Sequence, residues 1–163
     1  MQIKALEHAD LSAMWDINEQ GLPGTGKVTL EEMKYLLSIS EISIGAFDDG
    51  SLCGFVICFL PKRAYRSLNY AWFNQRYENF IYVDRIAVAT TYRNQGIGTA
   101  LYQSVFEYAA RTQQPVTAEV SLQPPNAGSD RFHQTHGFLP LEEVDYGDKA
   151  VTMYIRPIIS SDD

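Results

Sequence analysis

The octapeptide Arg93-Asn94-Gln95-Gly96-Ile97-Gly98-Thr99-Ala100 joins a strand-like apolar run to an amphipathic helical pattern. Glycines at such a turn let backbone N–H groups approach an anion closely, and the helix N-terminus adds partial positive charge. Arg93 can supply a full charge beside them. The segment is therefore suited to a phosphate. A P-loop needs Gly-Lys-Ser/Thr, but Gly98 is followed by Thr99-Ala100. A dinucleotide fingerprint needs a third glycine near Leu101, and none is there. The turn also lies past mid-chain, whereas that fingerprint opens a βαβ half.

Other residues fall into an order around this loop. Ile86-Ala87-Val88 precedes it, and Asn126 followed by Arg131-Phe132-His133-Gln134-Thr135-His136-Gly137-Phe138 comes after. With Arg-x-x-Gly-x-Gly at 93–98, this constellation resembles the GNAT superfamily of acyl-CoA N-acyltransferases over about residues 80–140. The resemblance implies a mixed sheet splayed between its fourth and fifth strands, with acetyl-CoA as acyl donor in the gap. It implies that Ile86, Ala87 and Val88 line the acyl-pantetheine arm through their backbone, with Val88 N–H as oxyanion donor. It further implies that Arg93, Asn94, Gln95, Gly96, Ile97, Gly98 and Thr99 wrap the pyrophosphate and that Asn126 bonds the pantetheine region. No metal is required, because backbone amides neutralise a diphosphate.

Acyl transfer to an amine needs a base for the amine, a donor for the oxyanion and an acid for the leaving thiolate. Many members of the family place a tyrosine acid where this chain has His133. An imidazolium, with an ordinary pKa of about 6.5, is a stronger acid than a thiol at roughly 8.5. Two roles follow for His133: the acid at the CoA sulfur, or a group that packs on the cofactor. Tyr82, Tyr146 and Tyr154 are substitutes without motif support. His133 and His136 have a spacing that metal sites use, but no third ligand accompanies them.

Asp84 and Glu119 are the candidate bases. Period two places Tyr82, Asp84, Ile86 and Val88 on one face of a strand. Glu119 lies on the neighbouring strand, where some relatives hold a carboxylate. Either carboxylate could instead pair with Arg85 or a helix end. The aromatic stretch from Tyr65 to Tyr82, with Trp72 within it, could hold an aromatic or cationic amine or could form its own small core.

The elements that must position these residues can be read from periodicity. A strand at 2–6 is followed by helical spacing through Leu11, Met14, Trp15 and Asn18, then a Gly-rich loop at 21–28. Thr29-Leu30-Glu31-Glu32 has capping-box spacing and opens a second helix. Residues 42–48 and 52–60 read as a hairpin around Asp48-Asp49-Gly50-Ser51. Tyr65 to Tyr77 matches no clean period. A strand at 80–88, a helix at about 96–111, a strand at 116–122 and a short helix from Asn126 to Gly137 follow. Strands at 138–144 and 150–156 close the chain. The sum is an α/β domain with a mixed sheet of about seven strands and four helices. It occupies residues 1–159, with a polar tail at 160–163.

The chain has 163 residues and a formal charge of −7, which argues against a general nucleic-acid or anionic-membrane binder. No apolar run is long enough for a signal peptide core or a membrane span, and two cysteines suit a reduced, cytoplasmic setting. The odd spacing of Cys53 and Cys58 places them on opposite faces of a strand. The leading reading is an N-acetyltransferase that acts on a primary amine of a small molecule or peptide by direct attack in a ternary complex. The rival is a catalytically silent acyl-CoA-binding module, kept open by His133. A nucleotide-binding protein is a third reading. Exposed strands at the chain's end make a homodimer plausible.

Overall fold

A computed structural model describes residues 1–158; the expected tail at 160–163 and the domain's last residue, 159, lie outside the described residues. The strands are β1 (Gln2–Ala5), β2 (Ile42–Asp48), β3 (Ser51–Phe59), β4 (Ile81–Val88), β5 (Val116–Gln123), β6 (Leu139–Asp145) and β7 (Ala150–Arg156). They form one mixed sheet in the order β1-β2-β3-β4-β5-β7-β6. All neighbours are antiparallel except β4 and β5. β6 is an edge strand, with Leu139 and Leu141 exposed along it.

Among the described residues five α-helices cover the sheet: α1 (Leu11–Gln20), α2 (Leu30–Ile39), α3 (Leu68–Arg76), α4 (Ile97–Thr112) and α5 (Ala127–Thr135). The capping box at α2 forms as its spacing predicts: Thr29 accepts from Glu32 N–H and Glu32 accepts from Thr29 N–H, each at 3.0 Å. One apolar cluster packs α1, α2 and α3 on one face of the sheet, with Met14, Met33 and Phe73 at its centre. The other packs α4 on the opposite face through Leu101, Tyr102 and Val105.

The fifth helix corrects the count of four. Ser67 caps α3 by accepting from Tyr70 N–H, and the helix buries only Tyr70 and Phe73. Two buried positions in a short segment crowded with partly buried aromatics give too weak a period to read. Most of the aromatic stretch is core: Tyr70, Phe73, Phe80 and Tyr82 pack with Phe59 at centroid distances of 5.1–6.4 Å.

Two strand irregularities overturn expectations based on period two. On β3, Ala46 pairs with Gly54 and Phe47 with Leu52, so Cys53 is an extra residue. This bulge brings Cys53 onto the same core face as Cys58; both are buried, unbridged thiols. On β4, Cys58 pairs with Val83 and Ile57 with Arg85, which makes Asp84 a second bulge. Tyr82 therefore packs in the α1–α3 cluster, while Ile86 and Val88 pack toward α4. The expected common face for Tyr82, Asp84, Ile86 and Val88 is broken because the extra residue inverts the alternation.

Candidate active site

β4 and β5 pair only through Ile81↔Val116 and Tyr82↔Thr117, and beyond Tyr82 the strands part. The bulge at Asp84 decides what faces the opening. Ile81 N–H donates to Pro115 O on the β5 side at 2.9 Å, whereas Ala89 N–H donates to Cys53 O on the β3 side at 2.8 Å. An unbroken strand would send both amides to the same edge, since their separation is even. The inversion turns the amides of Ile86 and Val88 into the gap, where β5 offers them no partner.

The gap opens onto a cavity of about 580 Å³. Its lining includes Ile86, Ala87, Val88, Arg93, Asn94, Gly96, Ile97, Gly98, Thr99, Asn126 and His133; of the phosphate-loop candidates, Gln95 is outside it. Gly96 caps α4 at φ +80° and Asn94 sits at φ +62°, a tight left-handed turn that leaves the first amides of α4 without a side-chain cap. Gly98 permits a close approach of α5, because a Cβ there would stand 3.1 Å from the Phe132 ring. Arg93 is exposed at the rim, with Nη2 3.3 Å from Gln20 O. Asn126 caps α5 by accepting from Ser129 N–H at 3.2 Å. Thr99 Oγ1 is 3.0 Å from His136 Nε2. These donors can hold an anionic group at the α4 N-terminus and an extended, hydrogen-bonding arm along β4, which suits acetyl-CoA, whose diphosphate and amide-bearing arm are of that kind.

A second cavity, of about 220 Å³, meets the first at Gly24, Thr25, Ile86, Ser129 and His133. Glu119 lines it, with the Tyr82 hydroxyl 2.8 Å from both carboxylate oxygens. Burial pushes the Glu119 carboxyl up to about 8; the Tyr82 hydrogen bond opposes that rise and the charge of Asp84 adds to it. Asp84 lines the same cavity but is committed to Arg85, with Nε to Oδ2 at 2.7 Å and both side chains buried. Arg85 in turn donates through Nη1 to Asn18 Oδ1 and Gly26 O, each at 3.0 Å.

His133 is buried between the cavities with both ring nitrogens engaged. Nε2 lies 2.7 Å from Tyr102 Oη and Nδ1 lies 2.8 Å from Ser129 O. A carbonyl can only accept, so Nδ1 carries the proton and Nε2 accepts from the tyrosine. Burial lowers the His133 pKa below its ordinary value, which weighs against an imidazolium acid near neutral pH. Tyr154 is committed to Asp130 at 2.8 Å and Tyr146 to Asn69 at 2.7 Å. Trp72 lines neither of these two cavities; the Arg76 guanidinium lies over its ring at 3.9 Å. From α3 it is Asn69 that reaches the smaller one.

Periodicity and motifs did not single out Asn69, Tyr102, Ser129 or Lys149, or the 21–28 loop as a wall of both cavities. Only the three glycines of that loop hinted at close approach. Among the described residues no group of three or more His, Cys, Asp or Glu side chains could hold a metal ion, and no helix is long and apolar enough to cross a membrane.

A family model described as the acetyltransferase (GNAT) family matches residues 11–138. No curated protein sequence matches the chain. Solved structures share the fold. Ard1 from Thermoplasma volcanium is 16% identical, covers 98% of each chain and superposes with a TM-score of 0.78. The ribosomal-protein-S18-alanine N-acetyltransferase from Escherichia coli is 16% identical over 99% of this chain and 97% of its own, with a TM-score of 0.74. NAA60 from Arabidopsis thaliana, solved in complex with a bisubstrate analogue, is 20% identical over 98% and 99%, also with a TM-score of 0.74.

Proposed function

The chain belongs to the GNAT family of acetyltransferases, and on that premise we propose that it transfers an acetyl group from acetyl-CoA to a primary amine by direct attack in a ternary complex. One observation carries the reading: the donor-lined cavity and the Glu119 cavity meet at Ile86 and His133, beside the outward-facing amide of Val88. Acetyl-CoA, when bound, supplies the activated thioester. Arg93, the backbone of residues 94–99 and the α4 N-terminus hold its diphosphate, and the Ile86 and Val88 backbone aligns the arm.

Glu119 accepts a proton from the incoming ammonium, so that a neutral amine attacks the thioester carbon. A carboxyl pushed up to about 8 lies close to neutral pH, which suits a general base. Val88 N–H donates to the oxygen on which charge develops. The new C–N bond would replace the C–S bond, and the proton that the amine nitrogen loses as the amide forms would pass to the departing sulfur, which leaves as a thiol. Neutral His133, held by Tyr102 and Ser129, shapes the junction where the sulfur lies. The reading carries a cytoplasmic location with it, in keeping with two buried, unbridged cysteines.

The second reading, an acyl-CoA-binding module without turnover, is favoured by His133 itself, which is neutral and fully hydrogen-bonded where relatives hold a tyrosine acid. Thiol release from acetyl-CoA against a panel of amines, with CoA binding measured in parallel, separates the two. Release above background supports the transferase. CoA binding without release with any amine overturns it in favour of the silent module.

A further inference from the structure

We propose that the acceptor is a small amine carrying its own carboxylate, of amino-acid type, with its amine toward Glu119 and its carboxylate toward Lys149. This rests on the transferase reading and names the substrate class of the same site.

The first argument is size. The 21–28 loop is pinned across the opening by Arg85, whose Nη1 donates to Gly26 O, and by Asn18 Nδ2, which donates to the same carbonyl at 3.0 Å. At Gly24 the loop comes so near α5 that a Cβ would stand 3.2 Å from Asn126 Nδ2. On the other side Tyr146, before β7, donates to Asn69 Oδ1 of α3 at 2.7 Å and ties those two walls together. The volume between these walls is about 220 Å³. That is below the roughly 300–1,000 Å³ of pockets that take drug-sized ligands, which favours a small acceptor.

The second argument is charge. Four ionisable groups of fixed sign line the cavity: Asp84, Arg85, Glu119 and Lys149. Asp84 and Arg85 cancel in their ion pair. Glu119, with its raised pKa, is mostly neutral at pH 7. Lys149 is exposed at the rim and forms no ion pair among the described residues. The uncommitted charge is therefore positive, although the chain as a whole is acidic. The further ammonium groups of a polyamine would meet Lys149 unfavourably, whereas an amino acid brings the anion that Lys149 lacks and leaves its amine for Glu119.

The test is thiol release from acetyl-CoA with four acceptor sets: the proteinogenic amino acids, their methyl esters, spermidine, and short peptides with free N-termini. The expected result is turnover of one or more amino acids. Their esters should be poorer by roughly ten- to a hundredfold in kcat/KM, the worth of one charge-assisted hydrogen bond. Lys149→Ala should raise KM for the amino acid by a similar factor while the KM for acetyl-CoA stays put, and Lys149→Arg should restore much of the loss. Calorimetric titration of the preferred amino acid into the CoA-bound protein should show the same dependence on Lys149 without turnover. Esters as good as acids, or turnover of peptides or spermidine but not amino acids, overturns this inference and leaves the transferase reading standing. CoA binding without release for any amine overturns that reading and this inference with it.

Discussion

The Tyr82 hydroxyl stands 2.8 Å from both carboxylate oxygens of Glu119, across the line where β4 and β5 stop pairing. Tyr82 belongs to the last paired rung and Glu119 to the first free stretch of β5. The contact thus anchors the Glu119 carboxyl at the apex of the split.

With burial pushing the Glu119 carboxyl up to about 8, its base form should grow from about a tenth at pH 7 to a majority above pH 8. Activity, as kcat/KM for the amine, should rise over this range. Glu119→Gln should lower it by about a hundredfold or more at pH 8 and abolish the rise. Tyr82→Phe removes a hydrogen bond that lowers the Glu119 pKa, so the midpoint should move to higher pH. A pH–rate profile of both variants measures each effect.

Asp84 is held by Arg85 in a buried pair, and removing one partner leaves a buried charge uncompensated. Asp84→Asn should cost roughly 3–5 kcal/mol in urea unfolding. It should keep the alkaline rise in kcat/KM. Loss of the rise with stability intact would make Asp84 the base instead of Glu119.

The lowered pKa of His133 makes the unfolded chain bind more protons than the folded one on the acid side of about 6.5. Stability should therefore fall as pH drops through that region. His133→Phe removes this contribution to the slope. It should also cost roughly 1–3 kcal/mol at pH 7.5, because Tyr102 Oη and Ser129 O lose their partner. Chemical denaturation at a series of pH values measures both effects.

Arg93 is exposed and makes a single long hydrogen bond of 3.3 Å to Gln20 O. Arg93→Ala should weaken CoA about tenfold by calorimetry, through loss of a charged phosphate donor. The melting temperature should hardly change.

Much of the architecture is legible in the chain itself, because strong local signals agree with the fold. The Thr29–Glu32 capping box, the Asp49-Gly50 turn and the period of Ile97, Leu101 and Val105 each specify their element without help from distant residues. The loop from Arg93 to Gly98 announces an anion site for the same reason: its chemistry is carried by backbone geometry that glycine spacing encodes. Helix α3 was hidden because a stripe of two buried aromatics is too short to set a period.

Only the tertiary structure decided the roles of the ionisable side chains. Asp84 and Glu119 are the same kind of residue in sequence, yet one is neutralised by Arg85 and the other is raised by burial beside a tyrosine. His133 reads as an acid until burial and two hydrogen bonds hold it neutral. The bulge at Asp84 reverses which amides and side chains of β4 face the split, and a single extra residue leaves no mark on composition or spacing. Residue type and spacing determine backbone preference over a few positions. Protonation and orientation depend on what the fold brings within a few ångströms, and that neighbourhood is assembled from segments far apart in the chain.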